Sequence, residues 1–512
     1  MSASKAAKAS SWLILRKVWG SMLNLLVTIY LARILPQSDF GIVAISIVLI
    51  SFCSVISSSG MADYLVYYQG DDFDKVKVST FWLNILIGTL MALVIGISAP
   101  YWGRVYGDVK ITYIVWLFII PFISEIVNNV PKATMKKNID YLPMIKIQSA
   151  LLGVAILLRF VLAYCGAGVY SLVLPTVIID PLTAYLLFRK SGLTWKEVWQ
   201  LKGVTKYWKS IFGFTKFLLL QRLLNRVVNE FDNLFVGKSI SLAALACYNQ
   251  AFILANLMTS HVSSIFTELL LPVFSKFQND LDKLRDAYSK VIALLSFFGV
   301  MLLIILTIGA PQLILLLLGP KFSPAIFPLQ MLSFFAFFRM INSPSGNVFS
   351  SMGKPQTGFY FVLIFTPIFI ASVVFSGQWG LDIFAMCISG IRIIGSIISI
   401  WIATRLIKAT SKGVLMPIVP FALAGLLAAL AGYFANMILF EPFRDAMMQS
   451  EVRPFKSTVW WNTALGFATN CLIIVSVYIA ALKVFFRSQW QSIIDYLSMM
   501  NNGLAKLLAY IR

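Results

Sequence analysis

Between Phe217 and Gly237 the chain reads FLLLQRLLNRVVNEFDNLFVG. Arg222, Asn225, Arg226, Asn229, Glu230 and Asn233 recur there at spacings of three and four within an apolar frame. On an α-helix such positions share a face. The six residues therefore form one polar stripe, opposite Leu220, Leu224, Val227, Phe231 and Phe235. Guanidinium groups make paired hydrogen bonds to phosphate oxygens, and asparagine amides both donate to and accept from sugar hydroxyls. The competing role for the arginines is to neutralise neighbouring acids. Arg226 stands one turn from Glu230 and close to Asp232, whereas Arg222 has no acid within a turn on its own helix.

Other polar residues interrupt long apolar runs. Arg159, Arg339 and Arg392 each lie in a separate run. They would face the same polar cavity as the stripe, unless their long side chains reach the membrane surface instead. A thinner stripe, Arg16, Gly20, Asn24 and Thr28, lies near the N-terminus beside Lys17. Arg16 and Lys17 suit either a cavity wall or an ordinary positively charged membrane edge. Asp63, Glu125, Asp180, Glu230 and Glu268 are the candidates for coupling to a proton or sodium ion, since a desolvated carboxylate readily takes up a cation. Asp63 and Glu268 sit near span ends, where interfacial acids are ordinary; Asp180 is nearer mid-span. The single histidine, His261, excludes multi-histidine metal chemistry and reads as a hydrogen-bonded bundle residue. The five cysteines fall at unrelated spacings in or beside apolar runs, which argues against a disulfide framework or a metal site. No organic cofactor is expected.

The elements that position these groups are membrane spans. The chain is 59% hydrophobic and 12% charged, against about 45–50% and about 25% for a soluble domain. Fourteen apolar runs approach the length of about 20 residues that crosses a bilayer: 12–35, 40–67, 79–101, 111–131, 144–165, 168–189, 211–236, 241–272, 288–310, 323–347, 358–378, 381–404, 415–438 and 461–482. The second and eighth are long enough to bend or protrude. The expected fold is thus an all-α polytopic membrane protein with about fourteen transmembrane helices. The first run, lacking a small-residue cleavage site, is taken as a retained span. "SVISSSG" (54–60) is read as close helix packing through small residues.

The alternate connections beginning with 1–17 hold 28 Lys and Arg, and the opposite set holds eight. The positive-inside rule then places both termini in the cytoplasm. This bias accounts for most of the +21 net charge, so nucleic acid is not an expected partner. The tail 488–512 mixes apolar and polar residues at helical spacing and is expected on the inner membrane surface.

A weak repeat divides the chain. At an offset of 205, Arg33 meets Lys238, Asn24 meets Asn229, Lys17 meets Arg222 and Asp63 meets Glu268. The expected organisation is an N-terminal lobe over 1–190 and a linker over 191–210. A second lobe over 211–414, two extra helices over 415–485 and a tail over 486–512 follow. The extra spans carry no charge within 415–438 and 461–482, which suits lipid contact.

The stretches "LARILPQSDFG" (31–41), "YNQAFIL" (248–254), "LPVFSKFQNDLDKL" (271–284), "LLLGPKFSPA" (316–325) and "SMGKPQ" (351–356) resemble the polysaccharide-transporter branch of the multidrug/oligosaccharidyl-lipid/polysaccharide exporter superfamily. This is the Wzx-type flippase group, which includes colanic-acid-type exporters. The resemblance covers roughly residues 10–440. It implies a fold like that of the multidrug and toxin exporters, two six-helix lobes plus two C-terminal helices. It also implies translocation of undecaprenyl-diphosphate-linked oligosaccharide in the bacterial inner membrane, with polymerase and chain-length components as pathway partners. Two other readings stand beside it. A cation-coupled drug or metabolite exporter would carry an acidic or aromatic cavity rather than surplus arginine. A membrane polymerase or ligase, an enzyme, would need a sizeable catalytic outer loop; the long connection 441–460 contains no histidine.

Overall fold

The computed structural model describes residues 3–58, 60–138, 142–199, 203–267, 270–410, 413–414, 416–449 and 457–500. Every regular element among them is helical. Twelve stretches are long and apolar enough to cross a membrane. Expected span seven is not among them. α1 (Ala3–Ile34) contributes an apolar helix over Trp19–Ile34, and the side chains of the earlier part of expected span one lie outside the described residues. α9 (Trp208–Ser239) carries too many charges. Each has 32 residues, or about 48 Å at the α-helical rise.

The chain forms two compact units, Met1–Ala246 and Cys247–Arg512. The first contains α1, α2 (Gln37–Ser58), α3 (Met61–Tyr67), α4 (Phe73–Tyr106), α5 (Lys110–Lys137), α6 (Leu142–Tyr164), α7 (Tyr170–Lys190), the short α8 (Trp195–Val198) and α9. The long second run bends, as its length suggests. α2 ends at Ser58, and Gly60 takes a left-handed conformation (φ 79°) before α3 begins. Only glycine adopts this freely. Here a side chain would also meet Thr215 of α9 at 3.0–3.2 Å. The serine-rich stretch before Gly60 thus leads into a helix break. α4 lies against α5 along a stripe of Gly88, Ala92, Gly96, Ala99 and Gly103. A Cβ at Gly88 would run into Ile126, and one at Gly103 into Thr112. Small residues at this spacing let two membrane helices approach closely without an aqueous hydrophobic effect to drive them.

The second unit contains most of α10 (Leu242–Thr267), then α11 (Leu270–Lys276), α12 (Leu281–Ile308) and the short α13 (Ala310–Leu317). α14 (Ile326–Asn342), α15 (Ser345–Ser351), α16 (Pro355–Ser376) and α17 (Gly380–Leu406) follow. α18 (Ile418–Leu439), α19 (Glu441–Met448), α20 (Thr458–Phe485) and α21 (Arg487–Met500) complete it. α18 and α20 pack on each other and on α12. One flank of α18 stays bare, with Leu426 62% and Ile438 74% exposed, as a lipid-facing helix requires.

The repeat is visible as architecture. α1 ends at Ile34 and α9 at Ser239; α2 begins at Gln37 and α10 at Leu242, all at the offset of 205. Seven-residue helices, α3 and α11, follow α2 and α10. In the first unit α4 packs on α5, α5 on α7, and α6 on α7; in the second α12 packs on α14, α14 on α17, and α16 on α17. Glu125 lies 12 residues before the end of α5, and Arg339 lies 12 before the end of α15, which continues α14. Asp180 and Arg392 both sit in the middle of the corresponding helices α7 and α17.

The compact units divide at 246/247, since α9 packs on α2, α3 and α4. The 191–210 segment is itself bound down onto α4. Trp82 Nε1 donates to the Val198 carbonyl (2.7 Å), Trp208 Nε1 to Ser79 O (3.3 Å) and Tyr207 Oη to Asp72 Oδ2 (2.8 Å). The hydrogen bonds from Lys75 and Tyr207 hold the Asp72 carboxyl below the usual carboxylate range. In the tail, the described apolar residues at the start of α21 face protein. Trp490, Ile493 and Ile494 are buried in the core of the second unit, Trp490 beside Phe297. Residues 501–512 lie outside the described residues.

Candidate anion-binding site on α9

α9 is fastened to α4 at both ends. Its start is held by Trp208; near its end Tyr106 Oη donates to Leu234 O (3.0 Å) and Lys238 Nζ to Val105 O (2.6 Å). The buried residues of α9 cluster at the same ends: Ile211 and Thr215, then Asp232, Asn233, Val236 and Gly237. From Lys216 to Phe231 none is buried. The polar stripe from Arg222 to Glu230 occupies this open middle, and its last member, Asn233, is buried.

Both arginines of the stripe meet a carboxylate. Arg226 Nη1 pairs with Glu230 Oε1 at 3.0 Å on the same helix, and Asn233 Nδ2 donates to the other oxygen, Oε2, at 3.0 Å. Arg222 finds an acid on another helix: Nη2 meets Asp63 Oδ2 of α3 at 2.5 Å. α3 is aimed there by the Gly60 break and by Phe214, whose ring lies against Tyr64 and Tyr67 at 5.6 and 5.2 Å. The Arg222 and Asp63 side chains remain 46% and 36% exposed, Arg226 and Glu230 34% and 22%. These are accessible pairs, each worth only about 0–1 kcal/mol to the fold. Asn229 Nδ2 donates to the Asn225 carbonyl at 2.7 Å, and Asn229 is exposed.

The remaining candidates fall into two further groups. In the first unit Arg159 Nη1 donates to Asn24 Oδ1 at 3.0 Å, joining α6 to α1. Asn24 in turn donates to the Gly20 carbonyl. Asp180 on α7 lies within electrostatic reach of Lys132, Glu125 and Arg159, and Ser54 Oγ reaches Glu125 at 3.5 Å. In the second unit Arg339 Nη1 donates to Asn256 Oδ1 at 3.0 Å. Arg339 is exposed. Arg392, 4% exposed, lies over the rings of Phe252, Phe335 and Phe369 at 5.5, 5.1 and 5.0 Å. Arg339 lies over the same Phe335 ring at 5.9 Å. The side chains of Arg16 and Lys17, and Glu268, lie outside the described residues.

Sequence reasoning missed Asn256, Ser54 and Lys132 as members of these networks, as well as the Asp63–Arg222 pair. The partners of Ser54, Asn256 and Asp63 are 71 to 159 residues away in sequence. Only the repeat carried a signal, because Ser51 and Asn256 are equivalent at offset 205 and Ser54 is one turn from Ser51.

A duplicated, all-α bundle with charged residues on its internal helices defines a multi-pass membrane protein. A family model described as "Polysaccharide biosynthesis protein" matches residues 30–327, and the chain belongs to that family. It is 23% identical over 413 residues to the teichuronic acid biosynthesis protein TuaB of Bacillus subtilis, covering 78% of this chain and 82% of the relative. It is 21% identical over 381 residues to the lipopolysaccharide biosynthesis protein WzxC of Escherichia coli, covering 73% and 75%. Among solved structures, the fold is similar to that of the lipid II flippase MurJ in an inward closed conformation. The TM-score is 0.69 at 14% identity, covering 93% of this chain and 98% of the other.

Proposed function

We propose that the chain is a flippase. It moves undecaprenyl-diphosphate-linked oligosaccharide across the bacterial cytoplasmic membrane by alternating access and so supplies surface polysaccharide assembly. The observation that carries this reading is the accessible pair Arg222 and Arg226, one turn apart on the open middle of α9. Charge inside a membrane protein is costly and marks a path for polar substrate. Two guanidinium groups at this spacing suit the two phosphates of a diphosphate. Asn225 and Asn229 continue the stripe with groups suited to sugar hydroxyls. The names of the relatives, a lipopolysaccharide and a teichuronic acid biosynthesis protein, support this class of cargo. A drug exporter for cationic solutes is poorly served by surplus arginine. The asymmetry of Lys and Arg among the connections supports cytoplasmic termini. Asp180 and Glu125 are the acids we assign to any proton or sodium coupling, since Asp63 and Glu230 are engaged by arginine. Polymerase and chain-length components of the same assembly pathway are the partners this role implies.

Cells lacking the protein should accumulate lipid-linked oligosaccharide on the inner face of the membrane. Arg222→Ala and Arg226→Ala should fail to restore surface polysaccharide while remaining membrane-inserted. Arg222→Lys, which keeps charge but loses the planar fork, should restore part. The double change Arg226→Ala with Glu230→Ala should stay inactive. Full recovery in that double variant would show that Arg226 only neutralises Glu230.

A further inference from the structure

The two arginines proposed to bind substrate are not bare. Each is engaged by a carboxylate, and both pairs are open enough for exchange. A membrane is rich in anionic phospholipids, and basic protein surfaces attract them. Two uncovered guanidinium groups on an open helix face would be occupied by such head groups. We propose that Asp63 and Glu230 are specificity-determining residues: they hold Arg222 and Arg226 against monoanionic phospholipid head groups and yield them to a diphosphate. This inference rests on the binding role assigned to the two arginines.

The geometry favours discrimination by charge count. Arg222 and Arg226 are at i and i+4, so their Cβ atoms are about 5–6 Å apart. A single phosphodiester replaces one carboxylate and gains little, because it exchanges one negative partner for another. A diphosphate can engage both guanidinium groups at once, so its second contact is intramolecular and costs little further ordering. The displaced carboxylates are provided for. Asn233 Nδ2 already holds Glu230 Oε2 at 3.0 Å, and Asp63 is 36% exposed to solvent. Rejection through a competing internal group is how binding sites discriminate when attraction alone would admit both ligands.

The test uses the purified full chain in phosphatidylcholine nanodiscs. Undecaprenyl diphosphate and phosphatidylglycerol are titrated separately, and binding of each is measured. The unsubstituted protein should prefer the diphosphate. In Asp63→Asn with Glu230→Gln, phosphatidylglycerol should tighten far more than the diphosphate, shrinking the preference about tenfold or more. Each single substitution should shrink it by an intermediate amount, and the singles decide the matter if the double variant is unstable. An unchanged ratio in these variants overturns the inference. Arg222→Ala with Arg226→Ala separates the two levels. If that variant binds the diphosphate normally, the binding reading itself fails. If it loses the diphosphate while the carboxylate variants keep the ratio, only the selectivity role fails.

Discussion

The glycine stripe between α4 and α5 permits a quantitative test of what holds the first unit together. Gly88 is buried, and a Cβ placed there would collide with the Ile126 side chain, first of all with its Cδ1 methyl. Ile126 is itself 2% exposed and has little room to move. Gly153, on α6, has no atom within 4 Å of the same position. Replacing either glycine with alanine gains the same helix propensity, up to about 1 kcal/mol in water. Only Gly88→Ala adds overpacking, about 1–3 kcal/mol. The difference between the two variants cancels the propensity and isolates the collision, so Gly88→Ala should be less stable than Gly153→Ala by about 1–3 kcal/mol. Ile126→Val alone should cost about 0.5–1.5 kcal/mol. Combined with Gly88→Ala it should cost less than that or restore stability, because the removed methyl group is the colliding one. Thermal unfolding of the detergent-purified protein measures all four variants. Equal stability of Gly88→Ala and Gly153→Ala would refute close approach as the reason for the stripe.

The strapped segment before α9 should resist protease. Trp82→Phe with Trp208→Phe removes two indole donors, and tryptic cleavage after Lys196 or Lys206 should accelerate; an unchanged rate would mean the strap contributes nothing. Its Asp72 contact has a depressed pKa, so that contribution is present above the ordinary carboxylate pKa and is lost as pH falls below about 4. Cleavage should therefore be independent of Asp72 ionisation between about pH 6 and 8. A reporter fused after Arg512 should be active in the cytoplasm, and activity confined to the outside would reverse the topology.

The extent to which the sequence anticipated the structure follows the range of the forces involved. Helix positions come from local hydropathy, so most spans and the bend near Gly60 are legible. The polar stripe of α9 is equally local, since its spacing is set by helical geometry. The Arg226–Glu230 pair, one turn apart, could be named as an alternative in advance. The Asp63–Arg222 and Asn256–Arg339 contacts could not, because each joins helices whose packing depends on the whole unit. The tail shows the same limit. Its amphipathic pattern requires an apolar surface to cover, and the pattern alone does not distinguish lipid from the Phe297 and Tyr478 surface that Trp490, Ile493 and Ile494 cover.

Asp180 in one half and Arg392 in the other sit midway along α7 and α17, helices that pack alike in their two units. Two copies of a half-length chain would have to carry the same residue at both places. A beneficial acid in one copy would be imposed on the other as well. Fusion into a single polypeptide removes that constraint, since each half then accumulates its own substitutions. A single polypeptide can therefore hold an acid at one of the two places and an arginine at the other. A chimera built from two first halves would carry an acid at both of these places, and one built from two second halves an arginine at both, whatever the quality of its helix packing.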